Sequence, residues 1–409
     1  MREMKPSNIE WIGDIPDDWK VAKYKFFAKS RMGETILASE TKESGIPIYS
    51  ATQDGKIFGY IDNPRVILKK GDIVIPARGN SIGCAALVEV EVATCTQTTI
   101  CSCDIHDCLN KYLMYCCYGL KDWWFKYDGS AIPQITVQQV DNNAVPFPGT
   151  REQQRIADFL DKKCAEVDEL IKNQEEQIEK LKAYKQAVIT EAVTKGLDKS
   201  APMKDSGVEW IGEINNGFTI KPIGILFKIK KDIIGHEPDV VLSITQTGIK
   251  PKDISSNEGQ LADSYDHYQI VCKGDFAMNH MDLLTGWVDI SQYNGVTSPD
   301  YRVFILKDKS QIAAYYLYVL QSYYKQKVFY GFGQGVAGMG RWRLPAENFK
   351  KIFIPVPRTT MQQQIVDYLD KKCSDIDKLI ELKQQKIEKL GEYKKSLIYE
   401  YVTGKKEVV

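Results

Sequence analysis

Apolar and polar positions follow two different periods along this chain. Over residues 150–195, and again beyond residue 359, apolar side chains recur at alternating steps of four and three. The first run reads Leu160, Cys164, Val167, Ile171, Gln174, Ile178, Leu181, Lys185, Val188 and Ala192. The second reads Leu369, Cys373, Ile376, Ile380, Lys383, Ile387, Leu390, Lys394, Leu397 and Tyr401. This is a heptad seam lasting more than four heptads, and such a seam needs a partner helix. The expected helix-pairing residues are therefore Leu160, Val167, Ile171, Ile178 and Leu181, with Leu369, Ile376, Ile380, Ile387 and Leu390. Each seam is broken at the same two places by polar side chains, which in coiled coils fix register and orientation. Both runs open on Thr-x-x-Gln, at Thr150 to Gln153 and Thr359 to Gln362, which predicts a capping box. The 32 steps from Leu160 to Ala192 make a rod of roughly 48 Å at about 1.5 Å per residue. Packing the two helices on each other within the chain is the simplest way to bury both seams. A second copy or another subunit is the alternative.

Elsewhere the apolar runs are short and punctuated by Gly, Asn and Asp. Ile46-Pro47-Ile48-Tyr49, Gly71-Asp72-Ile73-Val74-Ile75 and Ala85-Ala86-Leu87-Val88 have strand length and β-branched content. Residues 111–125 and 312–330, dense in Tyr, Leu and Trp, predict helices. These segments are of mixed α/β (α+β) type.

The two helices are copies of one another. IADFLDKKCAEVDELI from Ile156 returns as IVDYLDKKCSDIDKLI from Ile365, an offset of 209, and Val145-Pro146-Phe147-Pro148 returns as Ile354-Pro355-Val356-Pro357. Glu10-Trp11-Ile12-Gly13 returns as Glu209-Trp210-Ile211-Gly212 at an offset of 199. Each half thus reads as a WIG-led opening, a divergent globular segment and a similar long helix. The expected organisation is a globular domain over 1–150, a helical spacer over 151–196, a second globular domain over 197–358 and a second spacer over 359–409. The rod would hold the two globular segments apart.

Composition narrows the function classes. Lys+Arg and Asp+Glu each number 54, so a chain of 409 residues carries no net charge, and a globally basic nucleic-acid binder is excluded. The charge is unevenly placed. The stretch from Asp253 to Asp300 is strongly acidic, while Arg302 to Lys350 carries eight basic and two acidic residues. Either the two neutralise each other or the basic stretch makes a local phosphate-binding face. No apolar run approaches the roughly 20 residues of a membrane span. The first residues lack a secretory core, so a cytoplasmic location is expected.

Motifs that resemble catalytic or cofactor sites fail on context. Gly333-Gln334-Gly335-Val336-Ala337-Gly338 matches a dinucleotide fingerprint in letters but is followed by Arg341-Trp342-Arg343, without the acidic residue that such a site places about 20 positions on. Ser298-Pro299-Asp300-Tyr301 carries aspartate where an amino-methyltransferase motif has its second proline. Pro16-Asp17 with Glu40-Thr41-Lys42 fits loose nuclease spacing, yet the second half has Asn215-Asn216 in place of the acid. Seven cysteines fall between Cys84 and Cys117, near His106, but without paired C-x2-C spacing, and the second half has only Cys272 and Cys373. Reduced thiols and no metal are expected, and no catalytic residue is assigned.

Taken together, the duplicated WIG-led opening, divergent segment, Pro-x-Pro with Gln-Gln-x-Ile, and the DFLDKKC…IEKLKAYKQ helix resemble the specificity (S) subunit of type I restriction-modification systems, across essentially the whole chain. The resemblance implies two target recognition domains, each reading one half of a bipartite asymmetric DNA site. The repeated helices would form an antiparallel coiled coil. It further implies a phage-defence assembly with two methyltransferase (M) subunits and two restriction (R) subunits. S-adenosylmethionine would act in the M subunits, ATP and Mg in the R subunits, and no cofactor would bind this chain. Gly71-Asp72 followed by Arg78-Gly79-Asn80-Ser81-Ile82-Gly83 is similar to a family loop; the second half keeps Gly274-Asp275 but has Asn279-His280-Met281 after it. Candidate DNA contacts are Arg78, Asn80, Ser81, Gln97, Thr98 and Thr99 in the first half. In the second they are Asn279, His280, Gln334, Arg341, Trp342, Arg343 and Lys350. Lys350 and Arg343 are also suited to phosphates, which position a protein without specifying sequence. A stand-alone DNA-binding regulator and a helical protein scaffold remain as alternatives.

Overall fold

The computed structural model describes residues 2–52, 55–104, 108–125, 133–253, 264–335 and 342–408. The chain divides into two compact units, Met1–Glu176 with Lys383–Val409, and Gln177–Leu382. Each takes part of both long helices.

In the first unit, strands β1 (Ala28–Met32), β2 (Ile73–Pro76), β3 (Ala86–Leu87) and β4 (Thr99–Asp104) form an antiparallel sheet in the order β1-β4-β2-β3. Side chains alternate between its faces, as strand geometry requires. Ile73, Ile75 and Ile100 turn toward helix α1 (Asn110–Trp124), where Tyr112, Leu113, Cys116 and Leu120 are fully buried. Val74 and Cys101 turn the other way, into a smaller core with Tyr49, Leu68 and Ala93 from a second sheet. That sheet contains the expected strand Ile46–Tyr49, beside Ile57–Ile61, Val92–Cys95 and Leu68–Lys69. The unit's first long helix, α2, begins at Thr150 and runs Thr150–Lys195.

The second unit repeats this plan with larger side chains. Strands β5 (Phe227–Lys230), β6 (Phe276–Met278), β7 (Val288–Ile290) and β8 (Arg302–Leu306) assemble in the same order, β5-β8-β6-β7. Phe276, Met278 and Phe304 pack on helix α3 (Ala313–Lys325), and Phe227 makes edge contacts with both phenylalanines at 5.3 Å. The helix expected over 312–330 is interrupted: α3 ends at Lys325, Lys327 takes φ +60°, and a short helix Val328–Gly331 follows. A β-strand pair, Thr219–Pro222 with Phe353–Val356, leads into the second long helix, α4 (Thr359–Val402).

Within each unit the long helices run antiparallel. In the first, the Phe159 ring packs at a tilt on Tyr401 at 4.5 Å, Lys394 pairs with Asp168 at 2.7 Å, and Lys383 reaches Gln174 at 3.4 Å. In the second, Lys185 pairs with Asp377 at 2.6 Å. The polar interruptions of the seam thus meet acids or one another across the helix pair. Leu160, Val167, Ile178, Leu369 and Ile376 are buried, and Ile171, Leu181, Ile380, Ile387 and Leu390 are half-buried, on the same stripe.

The glutamines of the two Thr-x-x-Gln motifs have a second role. Gln153 and Gln362 are fully buried and face the domain. The Gln153 side chain donates to the Pro148 carbonyl at 2.9 Å and accepts from the backbone N–H of Leu109, the residue before α1, at 3.0 Å. Gln362 does the same with Pro357 and Ile312, both at 3.0 Å. One helix start is thereby fastened to another, which satisfies a terminal N–H that would be costly to bury unpaired. A buried tyrosine completes each joint. The Tyr112 hydroxyl bonds the carbonyls of Pro146 (2.8 Å) and Val402 (3.1 Å), and Tyr315 bonds those of Pro355 (3.0 Å) and Val193 (3.1 Å). One turn on, Tyr115 donates to Asp161 at 2.8 Å and Tyr318 to Asp370 at 2.6 Å.

Candidate nucleic-acid interface

Most first-half candidates converge on one corner of the first sheet. Because β4 begins where β2 ends, with Thr99 opposite Pro76, the loop after β2 meets the turn before β4. The Ala77 N–H donates to the Thr98 carbonyl at 2.6 Å, and Gly79 N–H to Pro133 at 3.0 Å. This lashing leaves Arg78 and Asn80 exposed on a short 3-10 turn, with Gly79 supplying φ +72°. Gln97 is exposed beside them and accepts from Thr35 at 2.9 Å. Gly33 sits under the same turn, where any side chain would collide with the carbonyls of Cys95 and Thr96.

Two candidates leave the surface set. Ser81 is buried and donates to the Ala51 carbonyl at 2.8 Å, so its hydroxyl shapes the loop. Thr99 is fully buried in β4. Thr98 is half-buried and shares a 2.7 Å hydrogen bond with Thr96. Thr35 was missed, because an isolated threonine far upstream carries no local signal of its place at this corner.

The second sheet presents the same corner with different chemistry. The loop from Asn279 to Trp287 is built from inside. Asn279 accepts from the Met281 N–H at 3.2 Å and Asp282 from those of Leu284 (2.9 Å) and Thr285 (3.0 Å). Asn279 is therefore engaged in the turn, and the exposed tip residues are Leu284 and Thr285. His280 is half-buried; burial and the neighbouring Arg302 and Arg343 guanidiniums push its protonation down to about 3, so it is neutral near pH 7. Gln334 and Arg343 are exposed and paired backbone to backbone at 2.8 and 3.1 Å. Trp342 packs against Gly333 and gives its indole N–H to the Tyr330 carbonyl at 2.8 Å, so that donor is already spent. Lys350 stands apart, paired with Glu347 at 2.8 Å and next to Pro222 and Ile225. Arg341 lies outside the described residues, as does His106.

The WIG signature has a structural role. Ile12 is fully buried, Gly13 takes φ +67°, Trp11 stacks on Trp123 at 6.5 Å, and the Trp11 carbonyl accepts from Tyr399 on α4 at 2.7 Å. Cys108, Cys116 and Cys117 fill the first unit's main core, and Cys95 and Cys101 its smaller one. Among the described residues no group of His, Cys, Asp and Glu is placed to hold a metal.

Comparison with known proteins agrees with this duplicated plan. The family described as the type I restriction modification DNA specificity domain matches residues 16–180 and 211–392, once per half. The type I restriction enzyme MjaVIII specificity subunit of Methanocaldococcus jannaschii is 25% identical over 421 residues, covering 96% of this chain and 93% of that protein. A putative MjaX specificity subunit of the same organism is 25% identical over 428 residues, covering 96% and 95%. In fold, the chain is similar to one solved in a study of assembly and conformational transition of the type I R-M system, with a TM-score of 0.66 at 14% identity, covering 95% and 98%.

Proposed function

The chain belongs to the type I restriction-modification DNA specificity family and is a non-catalytic specificity subunit that recognises DNA sequence, and from that premise we propose that its two units read the unlike halves of a bipartite, asymmetric site. The observation that carries this reading is one sheet plan built twice with different side chains at one corner. Arg78 and Asn80 stand at that corner in the first unit, and Leu284 and Thr285 in the second. Arginine and asparagine make paired hydrogen bonds with guanine and adenine edges, whereas leucine suits a thymine methyl. Two such corners suit two unlike half-sites.

The same reading extends to partners. Each unit exposes the same pair of apolar helix residues, Leu170 and Tyr393 in the first, Leu379 and Tyr184 in the second, related by the offset of 209. A surface present twice suits two copies of one partner, the M subunit, with two R subunits joining the assembly. The M subunits would carry adenine-N6 methylation with S-adenosylmethionine, and the R subunits ATP- and Mg-dependent cleavage. This chain binds no cofactor and works in the cytoplasm, where the DNA is. Among the described residues no helix is long and apolar enough to cross a membrane.

DNA binding by the purified chain, with and without its M subunit, tests the division of labour. Alone it should bind weakly and without sequence preference; with M it should prefer its site by about 10³-fold or more. Tight sequence-specific binding by the isolated chain would favour a stand-alone regulator.

A further inference from the structure

The second unit contains a cavity of about 600 Å3 over the start of β8, lined by Lys231, Gln269, His280, Tyr301, Arg302 and Arg343 among apolar neighbours. Arg302 is only 5% exposed. Its Nη2 donates to the Leu344 carbonyl at 2.7 Å and its guanidinium lies 4.8 Å from the centre of the Phe349 ring. Its Nη1 is buried with no partner among the described residues, and so is Nδ1 of His280. Lys230, also on the wall, is already neutralised by Asp275 at 2.6 Å, and no carboxylate lines the cavity among the described residues. Burial lowers the Arg302 guanidinium to about 10, which leaves it charged near neutrality. A buried cation normally has a paired anion, because the desolvation cost is otherwise uncompensated.

The first unit carries apolar residues at the aligned positions. Aligning Gly71-Asp72 with Gly274-Asp275 places Ala77 at the position of His280, and their carbonyls accept from Ile135 and Leu344, both at 2.9 Å. On the neighbouring strand Ile100, opposite Ile75, takes the place of Arg302, opposite Met278. Ala77 and Ile100 are buried and apolar. At these two positions the cationic and imidazole side chains are a feature of the second unit, and they are not needed to build the sheet.

We propose that this cavity is a phosphate-binding site, with Arg302 at its floor, Arg343 at its rim and His280 as a neutral hydrogen-bonding partner. A guanidinium fork matches phosphate oxygens in pairs. Base edges lie on the floor of a duplex groove and cannot enter a cavity that buries Arg302, whereas backbone phosphates project outward. The phosphate is either a DNA backbone group, which rests on the reading of DNA recognition above, or a free phosphate.

The test uses the full chain assembled with its M subunit, carrying Arg302→Met or, because Arg302 is buried and its loss can unfold the unit, the exposed Arg343→Gln. If the phosphate belongs to DNA, each variant should reduce the slope of log affinity against log salt by about 0.9, and the methylated motif should stay the same. If it is free, the slope should hold while inorganic phosphate alone binds saturably to the wild-type chain, shifting the His280 ring resonances, and fails to bind either variant. An unchanged slope with no phosphate binding overturns the proposal, and so does a change of the methylated base. The inorganic phosphate arm needs no DNA, so it stays readable even if the complex methylates no motif.

Discussion

Arg78 and Asn80 occupy a loop whose backbone is tied down at Ala77, Gly79 and Ser81, so that only their side chains are free to vary. Asn80→Ala or Arg78→Gln should weaken discrimination at one base position by about 1–3 kcal/mol, seen as a relaxed letter in the methylated motif. Ser81→Ala separates shape from reading: it should leave the motif unchanged and lower stability by about 1 kcal/mol in urea unfolding, the usual worth of one hydrogen bond. His280 gives a pH signature. Its protonation is depressed from the ordinary 6.5 to about 3, so below pH 6.5 the unfolded chain takes up a proton that the folded chain refuses. The stability tied to neutral His280 is complete above pH 6.5 and is lost progressively as pH falls toward 3. His280→Gln should therefore lose less melting temperature between pH 7 and pH 5 than the wild type; equal losses would count against this account of His280.

At the scale of elements, the long helices were legible because a heptad seam is a local pattern, and Lys185 and Lys394 land opposite Asp377 and Asp168 as register-setting residues should. Those pairs have exposed acids, so Lys185→Ala or Lys394→Ala should cost under about 1 kcal/mol. The joints matter more. Tyr112→Phe or Tyr315→Phe leaves two buried carbonyls without a donor and should cost about 1–3 kcal/mol in its own unit. The clamp made by the glutamines of Thr-x-x-Gln was not legible, because a capping box and a clamp onto a neighbouring helix share the same letters. What separates them is burial, which spacing does not encode. Sheet order was likewise hidden, since pairing of 28–32 with 99–104 leaves no local trace. Arg302 escaped notice for the opposite reason: in Arg302-Val303-Phe304-Ile305-Leu306 it reads as the polar edge of a core strand, and only the fold reveals it as a buried cation.

At the scale of the molecule, zero net charge is compatible with DNA recognition where positive charge is locally concentrated, and the proposed phosphate site at Arg302 and Arg343 would be one such place. Duplication with divergence is what a reader of two unlike half-sites requires. The most direct measurement is genome-wide mapping of methylated adenines in cells expressing this chain with its M subunit, before and after residues 1–150 are exchanged for the segment of another family member. The account predicts one bipartite motif, of which the exchange rewrites one half and leaves the other intact. A continuous motif, methylation independent of this chain, or alteration of both halves would contradict it.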